Sequence, residues 1–479
     1  MHILFIAKEI DDEPHGILLI SALLKKHGHR VSLVVASEQD PVQAALRLRP
    51  DVVGYSVYTG TQLYYLDVNR RIKAQIPVMS VFGGPHPTFF PEMIEQEGVD
   101  GVCVGEGEYA TLELLNALEA RQPYTGIRNW LFKVDGRVVR NPLRPLLTSA
   151  ELDALPFADR QLLYDAHPAS RDSHIRPFIT GRGCPYNCSF CFNEAYSRLY
   201  RAAGHSVHMR RRSVGNVLAE IKDVASRYRL SFITFMDDTF ILNPSWLREF
   251  GERYRLEVGL PFWCQVRANL VNEEVTALLR RSGCVSVSFG IEAGDDRLRN
   301  QILNRSMSRA EILDAAAVLR RNGIAFSTNN MLGLPTGSLA EDLETLALNV
   351  LCRPAYANVF LYQPYPKTAL GEMALREGYM SGTFDDLSGS VSQNTLIRFE
   401  RPGESRRVEN LQKLFAVTVE FPWLLPLVKR AIALPPNPLF WAIYKGWKGF
   451  AMKRRIFPYH LSPREYVTAA WRYLRIRSQ

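Results

Sequence analysis

Short, nearly unbroken apolar runs recur along this chain, each followed by a stretch with helical periodicity, and this alternation restricts the fold more than any other feature. The runs HILFIA (2–7), GHRVSLVV (28–35), DVVGYSVY (51–58), VMSVFGG (78–84) and VDGVCVGEGE (99–108) read as strands. Between the first two, GILLISALLKKH (16–27) repeats apolar residues at three- and four-residue spacing, as a helix with one buried face requires. Strands apolar on both faces need cover on both sides. The pattern therefore predicts a doubly wound, Rossmann-like α/β domain on a parallel sheet. Ligands of such sheets sit beyond the carboxyl ends of the strands. Here those ends read TGT at 59–61, GGPHPT at 83–88 and GEGE at 105–108.

A second alternation runs from 175 to about 370, with strands in RPFIT, LSFITFMDD, PFWCQVR, CVSVSFGIEAG, IAFSTNNMLGLP and ANVFLYQPYP. Six βα units predict a parallel barrel, closed or open as a three-quarter, partial (β/α)6 barrel of TIM type, with its chemistry at the strand carboxyl ends. Asp237, Asp238, Arg267, Glu292 and Gly333 fall at those ends. The intervening 122–175 is polar and turn-rich, with a charged, strand-like FKVDGRVVR. It reads as the end of the first domain plus a linker, with LPFADR (155–160) lying on a surface. The expected division is 1–140, a linker at 141–174, 175–370, and a mainly helical region at 371–479.

Three of the seven cysteines, Cys184, Cys188 and Cys191, lie together in GRGCPYNCSFCFN. Clustered thiolates are soft ligands for an iron–sulfur cluster or zinc. Zinc would want a fourth ligand at comparable spacing, and the next histidines are His174 and His205. Three thiolates on a four-iron cluster leave one iron open. The scattered Cys103, Cys264, Cys284 and Cys352 read as small buried apolar residues of a reducing compartment. With no basic start to the N-terminus and no apolar stretch of the roughly 18 residues a spanning helix needs, a cytoplasmic location is expected.

Placed directly after the first strand of a βα series, the cysteine segment resembles the CxxxCxxC signature of radical S-adenosylmethionine (radical SAM) enzymes. The resemblance covers roughly 175–370. It implies a 4Fe-4S cluster on the three cysteines, S-adenosylmethionine chelated at the open iron, and a 5′-deoxyadenosyl radical released when a flavodoxin- or ferredoxin-type donor supplies one electron. It further implies that Phe190 lies beside the adenine, and that Asp237 and Asp238 hold the methionine amine. Glu292, in GIEAG, would lie near ribose and methionine, and Arg267 would pair with the methionine carboxylate or with substrate. Gly333, in LGLPTGS, would pack near the adenine. For each charged rim residue a structural salt bridge is the competing reading.

The first domain resembles the cobalamin-binding domain that precedes many radical SAM domains. SVYTGT, with Ser56 and Thr61, sits where that family places a hydroxyl-bearing loop beside the nucleotide tail. GGPHPT supplies Gly83, Gly84 and His86; GEGE supplies Gly105, Glu106 and Gly107, with Thr111 following. Glycines suit a groove that must stay clear of side chains. One departure stands out: DDEPHGILL does not fit the Asp-x-His-x-x-Gly pattern whose histidine ligates cobalt, so His15 is a cobalt-ligand candidate by position only. The first turn lacks GxGxxG, which argues against a dinucleotide.

Charge is concentrated at the C-terminus. From Phe421 onward there are eleven Lys or Arg and one acid, Glu465, against a whole-chain net of +9. Interleaved with Trp423, Trp441, Trp447 and Trp471, these cations suit a membrane surface or a lipidic substrate better than nucleic acid. An ordinary helical cap over the barrel mouth is the competing reading. The expected function is cobalamin-dependent radical SAM C-methylation of an unactivated carbon in a small, lipidic molecule. A radical oxidative cyclisation or rearrangement, and a non-catalytic corrin and iron–sulfur sensor, are the alternatives.

Overall fold

The computed structural model describes residues 1–387, 392–461 and 465–466. Trp471 and the cations Arg464, Arg472, Arg475 and Arg477 lie outside them. The chain forms two compact units: Met1–Ser173 with Ser197–Arg212, and His174–Tyr196 with Ser213 onward.

Unit 1 is built on β1 (His2–Ala7), β2 (Arg30–Val35), β3 (Val52–Ser56), β4 (Met79–Gly83), β5 (Gly101–Cys103), β6 (Trp130–Val134) and β7 (Arg137–Arg140). The sheet order is β2-β1-β3-β4-β5-β6-β7. The first five strands are parallel. Strand β1 is buried along its whole length, because helices cover both faces. The order reverses between β1 and β3, which opens a crevice at their carboxyl ends. FKVDGRVVR is strand, as its pattern suggests. It forms the β6–β7 hairpin, which extends the sheet antiparallel, with Asp135 and Gly136 at φ of 48° and 76° in the turn. The segment read as a linker is also packed into this unit. Buried Arg160 pairs with Glu13 at 2.9 Å, Tyr164 donates to the same carboxylate at 2.7 Å, and Ser21 donates to Asp159 at 2.6 Å. LPFADR is accordingly buried at Leu155, Ala158 and Arg160 instead of lying on a surface.

Unit 2 opens with β8 (Ile175–Phe178). Two short extended pieces, β9 (Gly181–Arg182) in this unit and β10 (Arg210–Arg211) in unit 1, follow in the chain. Then come β11 (Phe232–Phe235), β12 (Phe262–Gln265), β13 (Cys284–Glu292), β14 (Ala325–Leu332) and β15 (Tyr356–Leu361). The six long strands pair in the order β15-β14-β13-β12-β11-β8, every pair parallel. Consecutive strands are neighbours, as in an open βα barrel, so all six carboxyl ends share one rim. A core of Phe178, Phe235, Phe250, Phe262, Phe289 and Phe326 lies between strands and helices.

The C-terminal region belongs to unit 2's core. The helix Glu404–Glu420 buries Val408, Leu411 and Phe415 against Leu332, Val359 and Leu361. Beyond the helix Pro438–Ala451, residues Ala451 and Ile456 pack on Phe232, Trp263 and Tyr356 at the starts of their strands. Ala451 and Ile456 therefore close the amino-terminal end of the barrel, while Ile397 and Phe399 pack with Leu334 and Tyr362 at its carboxyl end. Among the described residues no helix is long and apolar enough to cross a membrane.

Candidate active site and cofactor cradle

In unit 2 the cysteine loop leaves the end of β8. Gly183 takes φ +91°, a conformation that favours glycine. Two anchors hold the loop. At its start, buried Asp237 accepts from Thr180 N–H at 3.1 Å and from Thr180 Oγ at 2.7 Å. At its far side, Ser189 donates its N–H to Leu303 O (3.1 Å) and its hydroxyl to Ile302 O (2.6 Å), while its carbonyl accepts from Leu370 N–H (2.9 Å). Asn304 adds a bond to Asn187 O at 2.8 Å. Asp237 thus positions the loop and is not turned toward a ligand.

Cys188 is buried; Cys184 and Cys191 are half-buried, and the four scattered cysteines are buried. Burial pushes the Cys191 thiol up to about 11 and also raises Cys184, and backbone N–H groups of Asn193 and Tyr186 oppose these shifts. Loading metal on these thiols therefore releases protons. Among the described residues no three His, Cys, Asp or Glu side chains converge as ligands of one ion would. Three thiols spread along one wrapped loop suit a multi-iron cluster better than a single zinc.

Two guanidinium groups face Cys188. Arg267 Nη1 lies 3.9 Å from its sulfur and Arg305 Nη1 lies 3.7 Å from it. Arg267 stacks 3.7 Å over the Tyr186 ring and donates to Arg305 O. Arg305 donates to Gly290 O at 2.7 Å and pairs with Glu292 at 3.9 Å. Burial raises the Glu292 carboxyl, and Arg305 and then Arg267 oppose the rise. Glu292 has φ +66°, strained for a residue with a side chain. Its carboxylate folds back over Gly290, where a Cβ would lie 1.9 Å from Oε1. The glycine of GIEAG thus makes room for the glutamate.

Asp238 is open to solvent yet ringed by protein. Its surroundings raise its carboxyl, the Asn193 side chain opposes this, and its charge reaches Cys184 and Cys191. Phe190 packs with Leu298, Leu334 and Tyr362. Gly333, at φ +71°, donates to both oxygens of Asp342 at 3.2 Å, and burial pushes that carboxyl up to about 8. Asp238, Arg267, Glu292 and Gly333 thus share the strand-end rim with the cysteine loop. Arg305 was missed by sequence reasoning: it follows no strand and belongs to no motif.

In unit 1 the loops after β1, β3, β4 and β5 line one edge of the sheet. At Gly84, φ is +96° and a Cβ would lie 2.9 Å from Val57 N and 3.0 Å from Ser56 Oγ, so only glycine fits. His86 donates its N–H to Val57 O at 2.9 Å, places Nδ1 3.2 Å from Thr59 Oγ1, and stacks on Phe90 at 4.8 Å. Thr61 donates to Tyr58 O at 2.8 Å. Tyr58 and Leu63 are exposed beside this loop. His15 begins the helix His15–Lys26 with Nδ1 3.0 Å from Glu13 O.

Two expectations for this edge change. Glu106 is engaged by Arg210 at 2.6 Å and Leu147 N–H at 2.8 Å, so it ties segments together instead of lining a groove. The bare face of Gly105 is covered: a Cβ there would lie 2.1 Å from the Tyr200 hydroxyl. Gly83 has space, its nearest neighbour being Cys103 Cβ at 3.7 Å, and Gly107 abuts Ile20 at 3.2 Å. The close approach of loop backbones at Ser56, Gly83 and Gly84, beside exposed apolar side chains, suits a large, flat, apolar cofactor with a slender tail.

Comparison with known proteins supplies both parts. The chain matches the family model described as Radical SAM superfamily over 178–348 and that of the B12 binding domain over 2–115. It is 28% identical to an uncharacterised methyltransferase of Pyrococcus horikoshii over 373 residues, covering 76% of this chain and 78% of that one. It is 26% identical over 374 residues to the anaerobic magnesium-protoporphyrin IX monomethyl ester cyclase of Rubrivivax gelatinosus, covering 74% and 64%. Among solved structures, the cobalamin-dependent S-adenosylmethionine radical enzyme OxsB with aqua-cobalamin bound superposes with TM-score 0.68 at 13% identity, covering 99% of this chain and 84% of that one.

Proposed function

We propose, because the chain belongs to the cobalamin-binding radical S-adenosylmethionine enzymes, that it is a C-methyltransferase acting on an unactivated carbon of a small molecule with a large apolar part. When bound, the 4Fe-4S cluster and S-adenosylmethionine supply a 5′-deoxyadenosyl radical, and cobalamin supplies the methyl group, renewed from a second S-adenosylmethionine. The observation that carries the reading is the cysteine loop facing Asp238, Arg267, Arg305 and Glu292 on one barrel rim.

Each residue has a proposed task. Cys184, Cys188 and Cys191 hold the cluster, and Thr180 and Ser189 keep their loop in place. Asp238, open and close to the cysteines, accepts the methionine ammonium. Arg267 holds Tyr186 and screens the charge at Cys188, leaving little of its donor set for the methionine carboxylate. Glu292 accepts the ribose hydroxyls, with Arg305 opposing the rise that burial gives its carboxyl. Phe190 and the Gly333 turn form the adenine wall. In unit 1, Ser56, Gly83, Gly84 and His86 border the cobalamin tail, and His15, at the start of the helix after β1, is a second contact. A one-electron donor of flavodoxin or ferredoxin type completes the system.

A second reading, radical oxidative cyclisation without methyl transfer, is favoured by the similarity to the magnesium-protoporphyrin ester cyclase. Anaerobic reconstitution with iron, sulfide and cobalamin, followed by dithionite and S-adenosylmethionine, separates the two. Release of both 5′-deoxyadenosine and S-adenosylhomocysteine, abolished by Cys188→Ala, supports methyl transfer. 5′-Deoxyadenosine alone, with candidate substrates present, favours cyclisation. Neither product from fully loaded protein would replace both readings with the sensor.

A further inference from the structure

Between Phe421 and Phe450, unit 2 displays large apolar side chains that nothing in the described chain covers: Phe421, Trp423 (75% exposed), Leu427 (63% exposed) and Phe450. The aromatics are contiguous. Ring centroids of Trp423 and Phe421 are 6.4 Å apart, those of Phe421 and Trp447 are 5.8 Å apart, and those of Trp447 and Phe450 are 5.6 Å apart. Leu427 follows Trp423 by four residues, on the next turn of the helical run Pro422–Ala431. This ridge is held firmly. Buried Asn410 donates to Ile432 O at 3.0 Å and Leu434 O at 2.8 Å, locking the turn after that run onto the helix Glu404–Glu420. Soluble proteins seldom hold a contiguous apolar patch rigid and uncovered.

Charge identifies the occupant. Lys429, Arg430 and Arg454 are exposed around the ridge, and no acidic residue occurs from Phe421 to Arg464. The carboxylate just before this run in the chain, Glu420, is taken by Arg455 at 2.8 and 3.1 Å. Arg455 in turn lies 5.4 Å over Trp447 and 5.8 Å over Phe450. A second copy of the chain would bring like charges together. Single-stranded nucleic acid would exploit aromatic faces, but Leu427, Leu434 and Leu439, all exposed, offer it no stacking surface. Aromatic and aliphatic side chains ringed by cations match the boundary between acyl chains and anionic headgroups.

We propose that this ridge docks the enzyme on an anionic lipid surface, with Trp423 and Leu427 inserted at the headgroup boundary and Lys429 and Arg430 at headgroup phosphates. Residues Ala451 to Phe457 run from the ridge to the amino-terminal ends of the barrel strands. The docking surface therefore lies at the end of unit 2 away from the cysteine loop, and it anchors the protein without gating the site. The inference concerns where the enzyme works and does not depend on the proposed reaction, since the assay needs no turnover.

The test is flotation of the full, reconstituted protein with vesicles of phosphatidylcholine alone or mixed with phosphatidylglycerol. The protein is expected to float with the mixed vesicles, to stay down with phosphatidylcholine alone, and to be released by salt. The double variant Lys429→Gln/Arg430→Gln should weaken partitioning roughly thirty-fold. Trp423→Glu/Leu427→Glu should abolish it, and both should keep wild-type iron content and far-UV spectrum, since these side chains are exposed. Absence of binding to the mixed vesicles would overturn the proposal. So would binding unaffected by Trp423→Glu/Leu427→Glu, a dimer that this variant dissociates, or tighter capture of a single-stranded oligonucleotide than of vesicles.

Discussion

Replacing Arg305 by methionine tests the electrostatics of the rim directly. The change removes a 2.7 Å hydrogen bond to Gly290 O, a donor 3.7 Å from Cys188 sulfur, and the guanidinium 3.9 Å from Glu292. Glu292 would then be a buried carboxylate facing only Arg267, the weaker of the two groups that hold its proton affinity down. Breaking a buried pair from one side costs about 3 kcal/mol or more, mainly through the charge left behind. Glu292→Gln alone removes a charge that burial already disfavours and should cost only about 1 kcal/mol. The double variant lacks the stranded charge. It should be less destabilised than the sum of the singles by at least about 1 kcal/mol. The assay is urea unfolding of metal-free protein, following the unit 2 transition. The sign of the pH effect follows from the same group. A buried carboxyl with raised affinity for its proton loses stabilisation as pH rises, so the Arg305→Met penalty should shrink as pH is lowered and Glu292 takes up its proton. Strict additivity, or a penalty that does not change with pH, would refute the coupling.

Three further outcomes follow from individual contacts. Asp342, with its carboxyl pushed up to about 8 by burial, is protonated in the folded chain where the unfolded chain is ionised; stability should therefore fall by up to about 1.4 kcal/mol per pH unit between about pH 5 and pH 8, and Asp342→Asn should flatten that slope in denaturant titrations. Asp237→Ala leaves Thr180 N–H and hydroxyl without their buried acceptor, which should cost about 2 kcal/mol and lower iron content after reconstitution, with Asp237→Asn intermediate. Gly84→Ala must hold φ +96° with a Cβ 2.9 Å from Val57 N, so unit 1 should lose about 2 kcal/mol by thermal or urea unfolding and bind cobalamin more weakly in an absorbance titration.

The long strands of both units and the cysteine loop were legible because each is encoded locally. Period and apolarity define a strand such as HILFIA, and spacing defines a thiolate set within eight residues. The β6–β7 hairpin is legible in its strand-like runs on either side of Asp135–Gly136, although charged residues on an edge strand look like a loop. The segment 141–174 reads as a linker because it is polar and turn-rich. Its polarity is spent on buried pairs such as Glu13–Arg160, whose partners are far apart in sequence.

By itself, the sequence determined which backbone runs become strands, which face of each helix is buried, and that three thiolates share one loop; these depend on neighbours within a few residues. Only the tertiary structure decided how the charged rim residues are used. Asp237 and Asp238 are adjacent in the chain, yet one is locked on Thr180 and the other opens toward the cysteines. Arg305 carries no motif, yet it joins Cys188, Gly290 and Glu292. Glu106 sits in a loop suited to a ligand but is consumed by Arg210. The physical reason is that a charge takes its role from the partners and the dielectric that folding places around it, and these come from residues tens to more than a hundred positions away.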